Sequence, residues 1–510
     1  MNQNNIRATE LFQRVRDLLT LPDLEPKTRN KMMHDTLILC CHEGVKDTKQ
    51  AFGNLFSQVD YLCKARGIKV ADKIAIQTMR RHSNSQEPLS GEDLKYDARA
   101  LTLFISAVFE ERIPHEVNVL IPHINRPFQK GLEINNRRIR CIVKNWDSDF
   151  IRVDIDQDAD EEEYLVRLKD EENHIDHTYL WDLLKEGMQL NLLDCQVKQP
   201  IITPRLIVVE PDYLVDISSI ATCFTAFGHH PLLYLLNLMK PRANTQATLL
   251  GNFAGAALDD IINSHGKYQV NETIKSNFRE KALEFCTCPW FDAKKFYTDA
   301  NLQAYNLQQV VDILFPRTVS QAQMNAFRGE GIYDRKKAIL EPSFVCEALG
   351  IQGRVDLMTT DCKLLVEQKS GRNLNIESHQ ADPNYHSFQL VPHYVQLLLY
   401  YGVLQHNFKL GNNLVNIRLL YSKYQPQNGL MVVAYYQKLF REAIEYRNQL
   451  VAASFEIAKK GFEHALNEFT PDVLNVAGTQ DFFYNKYLKP QLADITDPLH
   501  ALSPLEEAYF

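Results

Sequence analysis

The chain has 510 residues, 45% hydrophobic and 24% charged, with a formal net charge of -8. Length and apolar content suit about three domains with sizeable cores, and the negative balance excludes nonspecific nucleic-acid binding by the whole surface while leaving room for a local basic groove. No apolar run approaches the roughly 18 residues that a membrane helix needs, and the opening MNQNNIRATE is no signal peptide, so a cytoplasmic protein is expected.

Residues 1–114 read as a small helical domain. Amphipathic patterns cover 8–19, 27–41 and 51–65, and after the polar break SNSQEPLSGED, Ser90 with Asp93 forms a capping box opening a helix over 94–111. From 115 to 204 the period shortens: VNVLIPH, RRIRCIVKNW, FIRVDID, EYLVRL and LNLLDCQV are β-like runs separated by turn residues, as in a small barrel. Arg137, Arg138, Arg140, Lys144 and Trp146 form a candidate single-strand patch, opposed by the acidic loop DQDADEEEY at 156–164. A purely structural barrel fits these residues equally well.

Helical patterns at 247–264, 272–285 and 302–314 then lead into IQGRVDLMTTDCKLLVEQKSG, residues 351–371. This stretch reads as two short strands, 355–359 and 363–367, joined by a tight turn near Asp361 and Cys362. A turn symmetric about those residues sets Asp356 opposite Glu367, and alternation brings Lys369 to the same face while Gln368 points away, its carbonyl near the pair. Two carboxylates about 5 Å apart repel unless a cation sits between them, and oxygen ligands suit Mg2+ or Mn2+. Lys369 beside them could orient an attacking water and offset charge on a pentavalent phosphate, which is the chemistry of phosphodiester hydrolysis. Further on, HYVQLLLYYGVL sets His393, Gln396 and Tyr400 along one stripe of a largely apolar helix.

GRVD, VEQKSG and H-x-x-Q-x-x-x-Y resemble the core motifs of the RecB-like branch of the PD-(D/E)XK nucleases, and within it the nuclease domain of the Dna-two type helicase-nucleases. LIVVEPDYLVDISSIATCF (206–224) resembles that family's entry segment, LEPSFVCEALGIQGRVD the lead into its catalytic Asp, and RLLYS with EYRNQLVA its closing strand and helix. The resemblance implies an α/β, multidomain α+β chain: a restriction-endonuclease-like core at 205–452, preceded by the helical domain and an oligonucleotide-type barrel, and followed by a helical extension at 453–510. It implies a metal-dependent deoxyribonuclease acting on single-stranded or flapped DNA in replication or repair. Asp356, Glu367 and the Gln368 carbonyl would hold the metal, with Lys369, Gln396 and Tyr400 catalytic or supporting. Arg354, Arg372, Lys336, Lys337 and His393 are the expected DNA contacts, with Arg328 and Arg335 adding to the positive charge nearby.

Two departures stand out. The family's Gly-Thr-x-x-His helix carries a metal-binding His where LLGNFAGAALDDII has Gly255, so Asp259, Asp260 or Glu341 is expected to substitute. Many members also carry a four-cysteine iron-sulfur cluster. This chain has no cysteine after Cys362 and has Ala226 near the first expected position, so no cluster is expected. The ten cysteines form no secreted disulfide pattern, and Cys286-x-Cys288 lacks zinc-site spacing. No G-x-x-x-x-G-K-[ST] loop is present, so an ATP-driven helicase would be a domain or subunit beyond the C-terminus. The competing expectations are a catalytically idle nucleic-acid-binding module and a nuclease of antiphage defence.

Overall fold

In the computed structural model the described residues are 7–509, except 22–23, 49, 127–131, 156–162, 226–227, 240–243, 265, 318–330, 379–387, 411–414, 462–481 and 483. The chain is a mixed α+β protein containing a closed five-stranded barrel. Among the described residues no helix is long and apolar enough to cross a membrane.

The first unit is helical: α1 (Ala8–Thr20), α2 (Pro26–Val45), α3 (Leu55–Ala65), α4 (Val70–Asn84) and α5 (Gly91–Phe109) close around Leu11, Met33, Leu37, Val59, Met79 and Leu101. The capping box forms as expected, with Ser90 Oγ accepting the Asp93 N–H at 3.0 Å, and the helix starts three residues earlier than the apolar spacing indicates. The pattern at 51–65 is not one helix. Residues Ala51–Phe52 form a strand, β1, and α3 begins only after Asn54, whose side chain caps it.

The barrel consists of β2 (Asn136–Trp146), β3 (Phe150–Ile155), β4 (Tyr164–Arg167), β5 (Gln189–Lys198) and β6 (Ile201–Thr203), paired in the order β2-β3-β4-β6-β5 and closed by β5 on β2. The β4–β6 pair is parallel and the others antiparallel. A further strand, β7 (Leu206–Val209), continues from β5 into the next unit, so the barrel sheet runs past residue 204. VNVLIPH is not a strand: His115–Asn118 is a single helical turn whose Val117 packs on the first unit. Most of the acidic loop lies outside the described residues.

Strand β8 (Val215–Asp216) joins β11 (Ile351–Arg354) and β10 (Ser343–Cys346) in a small sheet. The central sheet contains β9 (Ala338–Leu340), β12 (Leu357–Thr359), β13 (Leu364–Lys369), β14 (Asn416–Tyr421) and β15 (Leu430–Val433), in the order β1-β15-β14-β13-β12-β9. Its outermost strand thus comes from the helical unit, with β1 parallel to β15. Helices α6 (Gln246–Asn263) and α7 (Ala293–Leu314) cover one face over Leu364, Val366 and Leu420. Helices α8 (Val391–Phe408) and α9 (Gln437–Lys460) cover the other over Leu365, Leu419 and Tyr421. Strands buried on both faces read as continuous apolar runs, and LLV and LLY are such runs.

Two smaller expectations change, and the extension is helical where described. The pattern at 272–285 divides into Val270–Glu280 and Ala282–Cys286. Helix α9 runs past residue 452, where the core was expected to end, to Lys460. In the extension the described helices are Lys489–His500 and Pro504–Tyr509.

Arg447 ties the units together. Its side chain is fully buried and donates to the carbonyls of Gly350 (3.1 Å), Val209, Glu210 (2.9 Å) and Tyr213 (2.6 Å) and to Asn448 Oδ1 (3.2 Å). Burial lowers its pKa to about 9. Gly350 has φ +61°, and a Cβ there would lie 2.4 Å from the guanidinium, so the position calls for glycine twice over.

Candidate active site

The hairpin takes the expected register. β12 and β13 are antiparallel with Leu357 opposite Val366 and Met358 opposite Leu365, which sets Asp356 across from Glu367. The turn is locked by its own side chains. Cys362 N–H donates to the Thr359 carbonyl at 2.8 Å, Thr359 Oγ1 donates to Asp361 Oδ1 at 2.8 Å, and Cys362 takes the left-handed conformation at φ +54°. Lys337, expected on the DNA, reaches Asp361 at 3.0 Å.

Glu367 is 2% exposed. Lys369 Nζ, itself partly exposed, lies 2.7 Å from its Oε1. Glu367 Oε2 is buried without a hydrogen-bond partner among the described residues. Burial first and the neighbouring Asp356 second raise the Glu367 pKa to about 8, and burial likewise raises that of Asp356. Asp356 Oδ2 accepts the Gln368 N–H at 2.5 Å, which ties this carboxyl to the strand that carries Glu367.

Helix α8 supplies the rest of the wall. Tyr400 is buried, is hydrogen-bonded by Gln396 and donates its hydroxyl to the Arg354 carbonyl at 2.6 Å, two residues before Asp356. Burial raises the Tyr400 pKa, and Glu367 and Asp356 act on it in the same sense. His393, expected among the DNA contacts, is mostly enclosed by its surroundings. Burial and the nearby Lys369 lower its pKa to about 4, and its Nδ1 lies 3.2 Å from the Tyr421 hydroxyl.

Of the proposed substitutes for Gly255, Asp259 is half-buried near Glu341 and Asp356. Burial raises its pKa to about 6, reinforced by Glu341, Asp260 and Asp356. Asp260 turns instead to Thr273, whose hydroxyl donates to it. Glu341 sits beside Asp356 because its N–H donates to the Asp356 carbonyl at 3.0 Å, and it holds the left-handed conformation at φ +48°. Its carboxylate pairs with the exposed Arg354 at 3.1 Å. At Gly255 itself a Cβ would meet nothing within 4 Å.

Among the described residues no three His, Cys, Asp or Glu side chains are gathered closely enough to hold a metal. The donors present still fit a hard divalent ion. The half-buried Asp356 and the buried Glu367 lie opposite each other, and among the described residues one Glu367 oxygen lacks a partner. Mg2+ is commonly held by one or two carboxylates and completes its shell with water.

At the rim, Arg354 and Arg372 are exposed, and Arg372 is engaged by Glu377. Lys336 is exposed. Arg335 turns back to the carbonyl of Ile262 at 2.7 Å. Arg328 and Ala226 lie outside the described residues. On the barrel the candidate basic patch is largely neutralised: Arg137 pairs with Asp194, Arg140 with Asp212 and Lys144 with Asp154. The ten cysteines are unpaired. No family model matches the chain, and none of the curated proteins matches it.

Proposed function

We propose that the chain is a metal-dependent DNA nuclease of RecB-like PD-(D/E)XK type, hydrolysing phosphodiester bonds in single-stranded or flapped DNA during replication or repair. The observation that carries this reading is the buried Glu367 opposite the half-buried Asp356, with Lys369 on one Glu367 oxygen and the other oxygen lacking a partner among the described residues. Burying such groups costs folding energy that a shared cation would offset.

Asp356, Glu367 and the Gln368 carbonyl would hold Mg2+ or Mn2+. The bound ion would acidify a water and neutralise charge on the leaving oxygen. The Gln368 N–H fixes one Asp356 oxygen, and Tyr400 with Gln396 fixes the backbone leading into Asp356. Lys369, anchored on Glu367, positions the attacking water and offsets charge growing on the phosphate. Arg354 and Arg372 serve the DNA backbone at the rim, and Lys336 and Lys337 serve it further along, beside the hairpin turn. The closed barrel, with its third strand parallel to its fifth, supports an oligonucleotide-binding-type barrel ahead of the nuclease.

The test is cleavage of labelled single-stranded and 5′-flapped DNA with Mg2+, Mn2+ or EDTA. Metal-dependent cutting that disappears in Glu367→Ala is the expected result. Salt-sensitive binding without cutting under either metal would favour the second reading, an idle DNA-binding module, for which the open space at Gly255 is the motivating observation.

A further inference from the structure

The end of β13 that carries Lys369 is gripped from the face of the sheet opposite the carboxylates. Glu367 and Lys369 point toward α8, while Gln368 points toward α7 and donates through Nε2 to Ser422 Oγ at 3.3 Å. The Ser422 hydroxyl donates to Gln303 Oε1 at 2.7 Å, and Gln303 Nε2 donates to the Ser370 carbonyl at 3.1 Å. The chain of bonds therefore begins on Gln368 and ends on Ser370, spanning Lys369. The Ser422 N–H adds a bond to the Lys369 carbonyl at 2.9 Å, and Asn306 Nδ2 holds the Ser422 carbonyl at 3.0 Å.

Gln303, Asn306 and Ser422 are at most 1% exposed, in a layer otherwise made of Phe296, Ala300, Leu307 and Val310. Polar groups in such a layer contribute little net stability even when satisfied, and leucine or alanine would pack there without the risk of an orphaned donor. What the network supplies is geometry at one strand end. Helix α6 closes the same spot, since a Cβ at Gly251 would lie 3.2 Å from Ser370 Oγ.

We propose that Gln303 and Ser422 are positioning residues that hold Lys369 at the reacting phosphate by fixing the backbone on both sides of it. The proposal rests on the nuclease reading for its catalytic consequence and on the hydrogen-bond network for its structural one. A displacement of about 1 Å at a reacting group can cost around 100-fold in rate.

The experiment compares Ser422→Ala, Gln303→Leu and the hydroxyl-retaining Ser422→Thr with Leu307→Ala, a packing control on the same helix. For Ser422→Ala and Gln303→Leu, kcat should fall about 10- to 100-fold with KM for DNA changed less than about twofold. Ser422→Thr should recover most of the loss, and Leu307→Ala should keep kcat within about threefold at equal or greater loss of thermal stability. Amide hydrogen exchange at residues 366–371 is the second readout, and it should quicken in the two network variants but not in Leu307→Ala. Equal kcat losses in network and packing variants, or unchanged exchange at 366–371, would overturn the proposal. If the wild type cuts no DNA, the nuclease reading fails by itself, and exchange alone decides whether the network holds the strand end. Should Gln303→Leu not fold, Ser422→Ala carries the same comparison.

Discussion

Two buried ionisable side chains, Arg447 and Glu367, are treated in opposite ways. Arg447 spends its guanidinium donors on four carbonyls and the Asn448 side chain, joining α9 to the barrel and to the turn before β11. Among the described residues Glu367 keeps one oxygen without a partner, beside a second carboxyl. A completed buried ion is a joint, whereas an incomplete one is costly unless something else completes it. The comparison separates architecture from chemistry.

The largest effect expected of that difference is kinetic. Lys369→Ala should lower single-turnover cleavage by at least about 100-fold while leaving DNA affinity within about threefold. Unchanged cutting, followed with labelled single strands, would remove the ammonium from the mechanism. Arg447→Met should act the other way, costing roughly 3–5 kcal/mol of stability because it strands several buried carbonyls. Thermal unfolding would show it, and the folded fraction should cut at the wild-type rate per molecule.

A smaller and more diagnostic effect is the pH dependence of the metal-free protein. Glu367 has a folded pKa of about 8, above its unfolded value, so the folded state binds the extra proton. Its contribution is fully present below about pH 4.5 and is lost as pH rises toward 8. Glu367→Gln should therefore gain in melting temperature relative to the wild type across that window, and saturating Mn2+ should stabilise only the wild type at pH 8. Parallel melting curves across the window would mean that Glu367 is already compensated. The smallest change is expected at Gly255→His, where the open space admits a ring: Mn2+ affinity by calorimetry should rise a few-fold, with an equal or lower value arguing that the position does not face the ion.

The hairpin was legible in sequence because a period of two and a tight turn leave only one register that opposes Asp356 and Glu367. The Gln396–Tyr400 stripe was legible for the same reason at helical period. What escaped has no local period. Gln303 and Ser422 lie 119 residues apart and meet only because α7 crosses the end of β14, and Arg447 finds its partners more than 200 residues upstream at Val209, Glu210 and Tyr213. The strand at 51–52 is two residues of β pairing at the head of a helical pattern, so propensity read the helix and missed the pairing. VNVLIPH failed in the opposite direction, since an apolar β-branched run can equally cap a neighbouring helical core.

That short strand also bears on how the protein can be made and divided. β1 lies against β15, Gly53 N–H donates to the Val432 carbonyl at 3.0 Å, and the Gly53 carbonyl accepts the Phe388 N–H at 2.8 Å. During synthesis residue 51 emerges some 380 residues before its partner, so the helical unit has to wait, folded, for the sheet it completes. A chain begun at residue 115 would present β15 as a bare edge, open to the next copy, and should self-associate more readily than the full chain.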